Sequence, residues 1–296
     1  MRLRAATRGS PLARWQADHV ATLLRAAHGD VEVEAVVVTT TGDRDRSSPL
    51  AEIGGKGVFV KEVQAAVLDG RADMAVHSAK DLPSTTPDGL VIAAVPERAD
   101  PRDALVGAAL ADLPAGATIA TGSARRQSQL AHHRPDLAFV GLRGNMDTRI
   151  AAAADHGAVV VALAALERLG RADEVAEVLD PAIVLPQAGQ GTLAIECRAD
   201  DAPARDLLGA LDHGPSHRRL RAERAFLDEL GGDCTLPAGA FATLEGDEVI
   251  VEAIVAALDG STLLRHAVTG PDPEAAGRAV ARFLLDDAGG SAILSR

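Results

Sequence analysis

Two hydrophobic periods alternate along this chain. Short runs rich in Val, Ile, Leu and Ala at residues 3–7, 31–39, 74–78, 118–121, 138–142, 159–162 and 192–196 have the length and content of buried strands. Between them lie helical patterns. In residues 11–27, Leu12, Trp15, Val20, Leu23 and Leu24 approximate one helical face, and Ser10-Pro11 supplies an N-cap and a proline for the first turn. Residues 58–69, 123–133, 145–154 and 215–230 also read as helices, the last one highly charged. The alternation predicts α/β architecture, with parallel sheets covered by helices on both faces.

Punctuation divides the pattern. Pro96-Glu97-Arg98-Ala99-Asp100-Pro101 reads as a linker. Residues 183–187 lack helical amphipathicity and read as a return crossing toward the strand at 192–196, which fits the first sheet. The expected domains are 1–98 with 188–212, a discontinuous α/β domain; 101–187, a second α/β domain; and 215–296, a smaller α+β domain. In the last, strands at 249–256 and 262–268 turn through Asp259-Gly260, and a helix follows at 273–287.

Composition changes this picture little. Apolar residues make up 47% and charged residues 24%, as in ordinary globular proteins. With one Trp, five Phe and no Tyr, the cores must be aliphatic. The net charge of −12 argues against non-specific nucleic-acid binding, yet leaves room for a local basic cleft. The first residues contain no long apolar stretch, so no signal peptide is expected. No run approaches the ~18 apolar residues of a membrane span. A reducing, cytoplasmic compartment is the expectation. Only three lysines, Lys56, Lys61 and Lys80, stand among 30 Lys and Arg, and all fall in one short stretch. They mark either sites for a compact ammonium or chance clustering.

Chemistry-bearing residues gather where strands give way to helices. Residues 121–127, Thr-Gly-Ser-Ala-Arg-Arg-Gln, combine a helix start, two hydroxyls and two guanidinium forks, a set suited to anions. Arg143-Gly144-Asn145 and Arg149 follow at the next such junction. Residues 121–150 hold five arginines against two aspartates. Thr7-Arg8-Gly9-Ser10 repeats the theme. At the end of the 74–78 strand, Ser78-Ala79-Lys80-Asp81 places an ammonium beside a carboxylate, either a proton-handling pair or an ordinary ion pair. Gly54-Gly55-Lys56-Gly57 lacks P-loop spacing, and Gly189-Gln190-Gly191 lacks the dinucleotide fingerprint. His132 and His133 are adjacent on a helix and make a poor metal pair, so no metal site is assigned. Of the two cysteines, Cys197 lies in a strand pattern and Cys234 in a glycine-rich turn. From its surroundings alone Cys234 is either structural or reactive.

Together these motifs resemble the porphobilinogen deaminase, or hydroxymethylbilane synthase, family. The resemblance is carried over nearly the whole chain by segments 6–13, 54–62, 75–83, 98–104, 122–127, 142–145, 186–191, 195–198 and 234–237. It implies two domains like the halves of a periplasmic binding protein, plus a third bearing the cysteine. It implies a dipyrromethane cofactor joined to Cys234 by a thioether. Four porphobilinogen units are then added head to tail with loss of ammonia, and water releases the product. Asp81 matches the catalytic carboxylate, with Lys80 beside it. Lys80, Asp81, Ser78, Thr121, Ser123, Arg125, Arg126, Arg143, Gly144 and Asn145 match cofactor-binding positions. Arg8, Ser10, Phe59, Arg149, Arg168 and Gln190 match substrate-binding positions. The loop before Phe59 would act as a lid. The family pattern further implies a monomer that passes its product to a cyclising enzyme. Glu52, where the family often has lysine, and Asp233, beside Cys234, are departures.

The competing class is a binder without chemistry, a solute-binding or effector domain of the same two-lobed fold. A cysteine-bearing third module has no role there.

Overall fold

The computed structural model describes residues 2–44, 57–231 and 235–295. The chain begins β1 (Arg2–Arg8), α1 (Pro11–His28), β2 (Glu32–Val38), α2 (Thr41–Arg44), α3 (Lys61–Leu68), β3 (Met74–Ser78) and β4 (Leu90–Ala94). It continues β5 (Asp103–Gly107), β6 (Thr118–Ala120), α4 (Ala124–His133), β7 (Ala138–Val140), α5 (Met146–Ala151), β8 (Ala158–Ala162), α6 (Leu163–Arg168) and β9 (Val175–Val178). It ends β10 (Leu193–Arg198), α7 (Ala202–Gly209), α8 (Gly214–Glu229), β11 (Ala238–Glu245), β12 (Glu248–Ala256), β13 (Leu263–Gly270), α9 (Pro273–Arg282) and α10 (Gly290–Leu294). Two compact units result, 1–99 with 192–218 and 100–191 with 219–296.

The first unit is built on a sheet of order β2-β1-β3-β10-β4. Helix α1 starts as its sequence dictates: the Ser10 hydroxyl accepts from the Ala13 N–H at 3.3 Å, Pro11 opens the first turn, and Gly29 ends it at φ +69°. Its Val20 and Leu24 join Leu3, Met74, Ile195 and Leu208 in one core. A second core on α3 joins Val63 and Val67 to Ala6, Ala75 and Leu90.

The all-parallel expectation is corrected. Strands β1, β2 and β3 are parallel, but β10 runs antiparallel to both β3 and β4. No crossover helix ties β10 to its neighbour in sequence, so the rule that makes βαβ strands parallel does not fix its direction. The Val-rich run at 31–39 reads as buried, yet β2 is an edge strand and Val37 is 47% exposed.

The second unit carries two sheets. One has the order β7-β6-β8-β5-β9, again mixed, with β5 antiparallel to β8 and β9. The other is the antiparallel β11-β12-β13, covered by α9 and α8 through Phe226, Val251, Val280 and Leu284. The 183–187 segment forms no strand. The Leu185 N–H donates to Gln129 Oε1 at 2.7 Å, and its carbonyl accepts from Arg125, so side chains of α4 satisfy this buried backbone.

The turn between β12 and β13 meets the end of α4 at Gly260. His132 Nδ1 lies 2.9 Å from the Gly260 carbonyl oxygen. Gly260 has φ +75°, and an added Cβ there would strike the His132 nitrogen and Ala131. Gly260→Ala is expected to destabilise the protein by roughly 1–3 kcal/mol, because strain and overpacking act at one position. Denaturant unfolding measures it; an unchanged midpoint would show that the turn can retreat.

Candidate active site

In the first unit, β1 and β3 deliver their ends to the same place. Arg8 closes β1, and its guanidinium lies 4.2 Å from the centre of the Phe59 ring, a cation–π contact. The same guanidinium forms a two-point pair with Asp43, which also accepts from the Thr40 hydroxyl at 2.7 Å. Burial alone would raise the Asp43 carboxyl, but the hydrogen bonds from Arg8 and Thr40 outweigh it and hold the group below its ordinary range. Gly42 makes room for this stack, since a Cβ there would overlap the Phe59 ring.

Strand β3 ends at Ser78, whose hydroxyl accepts from Gln16 Nε2 of α1 at 2.8 Å. A single 3-10 turn, Ala79–Asp81, follows. It is pinned by the Ala79 N–H to the Thr192 carbonyl at 2.9 Å and closed by the Leu82 N–H to the Ala79 carbonyl at 3.2 Å. Lys80 and Asp81 are half-buried on this turn. Arg8, Gln16, Phe59, His77, Ser78 and Asp81 line one pocket. Its volume of about 30 Å³ is room for roughly two waters, too little for a pyrrole ring as the side chains stand. Ser10 stands at the mouth of α1 as its N-cap.

In the second unit, β6 leads through Thr121 and Gly122 into α4, capped by Ser123. The Ser123 N–H donates to Thr121 Oγ1 at 3.2 Å. A Cβ on Gly122 would come within 2.5 Å of the Leu142 carbonyl, so the two strand-end turns approach as closely as glycine allows. Arg125 and Arg126 turn inward. Arg125 donates to Asp103 Oδ2 at 2.7 Å, and Arg126 to Asp103 Oδ1 at 2.8 Å. Gln190 Nε2 donates to that same Oδ1 at 2.8 Å and to the Pro101 carbonyl at 2.7 Å. Asp103 is fully buried. Burial opposes its charge, but the two guanidiniums prevail and hold the carboxyl far below its usual range. Burial also lowers Arg125, against the pull of Asp103.

The structure thus shows that the five arginines of 121–150 are not equally available to a ligand. Arg134 pairs with Asp136 at 2.7 Å, while Arg125 and Arg126 share one carboxylate and retain one net positive charge between them. Sequence reasoning missed Asp103 because a carboxylate at the head of a buried strand looks the same whether or not a cation faces it.

Arg143, Gly144 and Asn145 lie together. Asn145 caps α5, its Oδ1 accepting from the Thr148 N–H and hydroxyl at 2.9 Å each. Gly144 has φ +120°, and its carbonyl accepts from Arg149 Nε at 2.9 Å. Arg143 Nη1 is buried without a hydrogen-bond partner. A buried guanidinium donor left unsatisfied is costly, and an anion answers it. Arg168 donates to the Gly191 carbonyl at 2.7 Å, and burial lowers its pKa to about 10. These groups fit a polycarboxylate such as dipyrromethane: fixed donors, net positive charge and no competing acidic side chain on Arg143 Nη1. Cys234, Glu52, Asp233 and Lys56 lie outside the described residues. Cys197 is buried in β10, where burial first and then Asp201 push its thiol up to about 11. No helix among the described residues is long and apolar enough to cross a membrane.

Residues 3–206 match the family described as porphobilinogen deaminase, dipyromethane cofactor binding domain, and residues 217–286 match porphobilinogen deaminase, C-terminal domain. Among solved structures, the chain is similar to the methionine-binding protein MetQ, at 14% identity and a TM-score of 0.44, over 73% of this chain and 92% of that one. It is similar also to an extracytoplasmic solute receptor of Bordetella pertussis that binds pyroglutamic acid, at 14% identity and a TM-score of 0.41, over 78% and 83% of the two chains.

Proposed function

This chain belongs to the porphobilinogen deaminase family, and on that premise we propose how its residues divide the reaction. The enzyme joins porphobilinogen units head to tail into hydroxymethylbilane, with loss of ammonia, using a dipyrromethane cofactor. When bound, that cofactor supplies the primer on which substrate is assembled. Cys234 is its covalent anchor.

Asp81 is the catalytic carboxylate. Departure of ammonia from the aminomethyl group leaves an electron-poor ring. A carboxylate fixed on a short turn accepts the pyrrole N–H and stabilises the positive charge as it develops. Lys80, next to it, binds a carboxylate of the ligand, as a compact ammonium can. Arg8 and Ser10 bind the acid side chains of the incoming substrate, and Phe59 stacks on its ring. Arg149, Arg168 and Gln190 complete substrate binding. The primer carboxylates are held by Ser78, Thr121, Ser123, Arg143, Gly144 and Asn145. Arg125 and Arg126 act from beneath, as the buried positive charge behind Ser123. The observation that carries this reading is the convergence of Arg8, Phe59, Ser78 and Asp81 on one pocket at the end of β3.

Asp81→Ala is expected to lower kcat by roughly 10²- to 10⁴-fold, while intact-mass analysis still finds two pyrrole units on the protein. Near-normal product formation by that variant would remove Asp81 from the mechanism. The enzyme is further placed in the cytoplasm, since a thiol that must stay open to its primer suits a reducing compartment. It acts there as a monomer and passes its product to a cyclising enzyme. Light scattering of the purified protein tests the first of these two statements.

A further inference from the structure

Asp43 has no part in the scheme above, yet it is the hydrogen-bond partner of Arg8, which lines the pocket. A guanidinium carries its N–H donors in one plane. Those on Nε and Nη2 reach the two oxygens of Asp43, and Cζ lies 4.2 Å from the centre of the Phe59 ring. Asp43 thus fixes one edge of the planar group, and Phe59 fixes one face. Among the described residues Arg8 Nη1 makes no hydrogen bond, so the edge formed by Nη1 and the second Nη2 N–H is left to a ligand. Such an edge is the fork that takes a carboxylate at two points.

Asp43 is itself anchored. Its Oδ2 accepts from the Thr40 N–H at 3.2 Å and from the Thr40 hydroxyl at 2.7 Å. The turn that bears it, α2, is tied to the segment that bears Phe59. The Gly42 N–H donates to the Val58 carbonyl at 3.2 Å, and the Thr41 N–H and hydroxyl donate to Glu62 Oε1 at 2.7 and 2.6 Å. The residue that holds the edge and the residue that holds the face therefore belong to one hydrogen-bonded frame. Stability gives little reason for it. The side chains of Arg8 and Asp43 are 24% and 22% exposed, and a partly exposed ion pair contributes little to folding. What the frame does supply is orientation, since a loose arginine would have to be ordered at the moment a ligand binds.

Resting on the role given to Arg8 in substrate binding, we infer that Asp43 is a positioning residue for this reaction: it holds the Arg8 guanidinium against Phe59 with the Nη1 edge open for a carboxylate of porphobilinogen. Asp43 acts through Arg8. Burial works against its charge, but the hydrogen bonds from Arg8 and Thr40 prevail and keep it an anion at neutral pH. Arg8 and Asp43 cancel in net charge, so the pair recognises a carboxylate by the geometry of the fork rather than by an excess of positive charge.

Steady-state kinetics of the full-length holoenzyme test this in the wild type, Asp43→Asn, Arg8→Gln and the double variant. Asp43→Asn puts an NH2 group where an acceptor stood. It should raise the KM for porphobilinogen about tenfold with kcat held within about threefold, a split that a merely structural role would not produce. Arg8→Gln should raise KM at least as much, and adding Asp43→Asn to it should change KM by less than about twofold, because the two residues act as one unit. NMR of protein with nitrogen-labelled arginine gives a readout independent of turnover. The two Nη atoms of Arg8, identified by signals absent from Arg8→Gln, should be distinct in the wild type, where the held edge slows their rotation, and should merge in Asp43→Asn. Merged signals in the wild type overturn the proposal whatever the variants do. So does an Asp43→Asn enzyme with an unchanged KM, or with a lowered one, which would make Asp43 a competitor of the substrate. If Arg8→Gln raises KM and Asp43→Asn does not, the positioning role alone falls. If Arg8→Gln leaves KM unchanged, the substrate-binding role of Arg8 falls and the positioning role with it.

Discussion

Replacing Cys234 with alanine should leave an enzyme with no covalent pyrrole adduct and no turnover, whereas replacing Cys197 with alanine should leave both intact. The contrast follows from the environments of the two thiols. Cys197 lies in the core of the first unit, packed with Ile195 and Met74, and its thiol is pushed up to about 11, chiefly by burial. At neutral pH it is almost wholly protonated and sealed from ligand, so it can neither attack nor hold a primer. Cys234 is the other cysteine of the chain, falls within the residues that match the family's C-terminal domain, and is the anchor proposed above. Intact-mass analysis of each variant, alongside the rate of porphobilinogen consumption, gives the answer directly. An adduct surviving in Cys234→Ala would place the tether elsewhere and dismantle the assignment.

Asp103→Asn should cost about 3–5 kcal/mol of stability, the usual consequence of breaking a buried ion pair from one side. Arg125 and Arg126 are both buried, and one carboxylate answers both. Without its charge, two guanidiniums remain in a low-dielectric site that offers them the amide oxygen at 103 and the Leu185 and Val160 carbonyls, all neutral. A second substitution, Arg126→Met in the Asp103→Asn background, should recover part of the loss, because it removes one of the stranded charges. The acid dependence has a definite sign. The folded-state pKa of Asp103 is lowered, so its contribution is complete above the ordinary carboxylate pKa of about 4 and is lost as pH falls toward the folded value. Asp103→Asn should therefore flatten the acid side of the stability profile. Denaturant unfolding across pH measures both effects; a loss below ~1 kcal/mol would mean that the cluster is solvated in practice.

The triad also bears on ligand binding. Its net positive charge lies at the start of α4, which Ser123 caps and where the helix N–H groups favour an anion. Arg125 and Arg126 thus raise the local potential without spreading their forks over the surface. The orphaned Nη1 of Arg143 is the donor in this unit best placed to gain from a carboxylate, since its hydrogen bond replaces none already made.

Much of this architecture was legible in local sequence. Ser10-Pro11, Ser123 and Asn145 announce helix starts, and each caps its helix as expected. Asp259-Gly260 announces the β12–β13 turn, and the motif from Ala75 to Pro83 places Asp81 just past a buried strand. These features depend on residues within about one turn of each other, so neighbouring letters suffice. Short strands such as β5 and β9 were missed because four or five residues carry too little period to stand out.

By itself the sequence determined the alternation of strands and helices, the positions of the caps and turns, and the family. The tertiary structure decided which charges are available and which are spent on one another. Asp103 meets Arg125 and Arg126 from more than 20 positions away, and Glu196 meets Gln64 across 132. It also decided that β10 enters the first sheet against the direction of β3. The physical reason is the same in each case: a buried charge is fixed by the partner that desolvation forces on it, and that partner is chosen by packing in space, where sequence separation has no meaning.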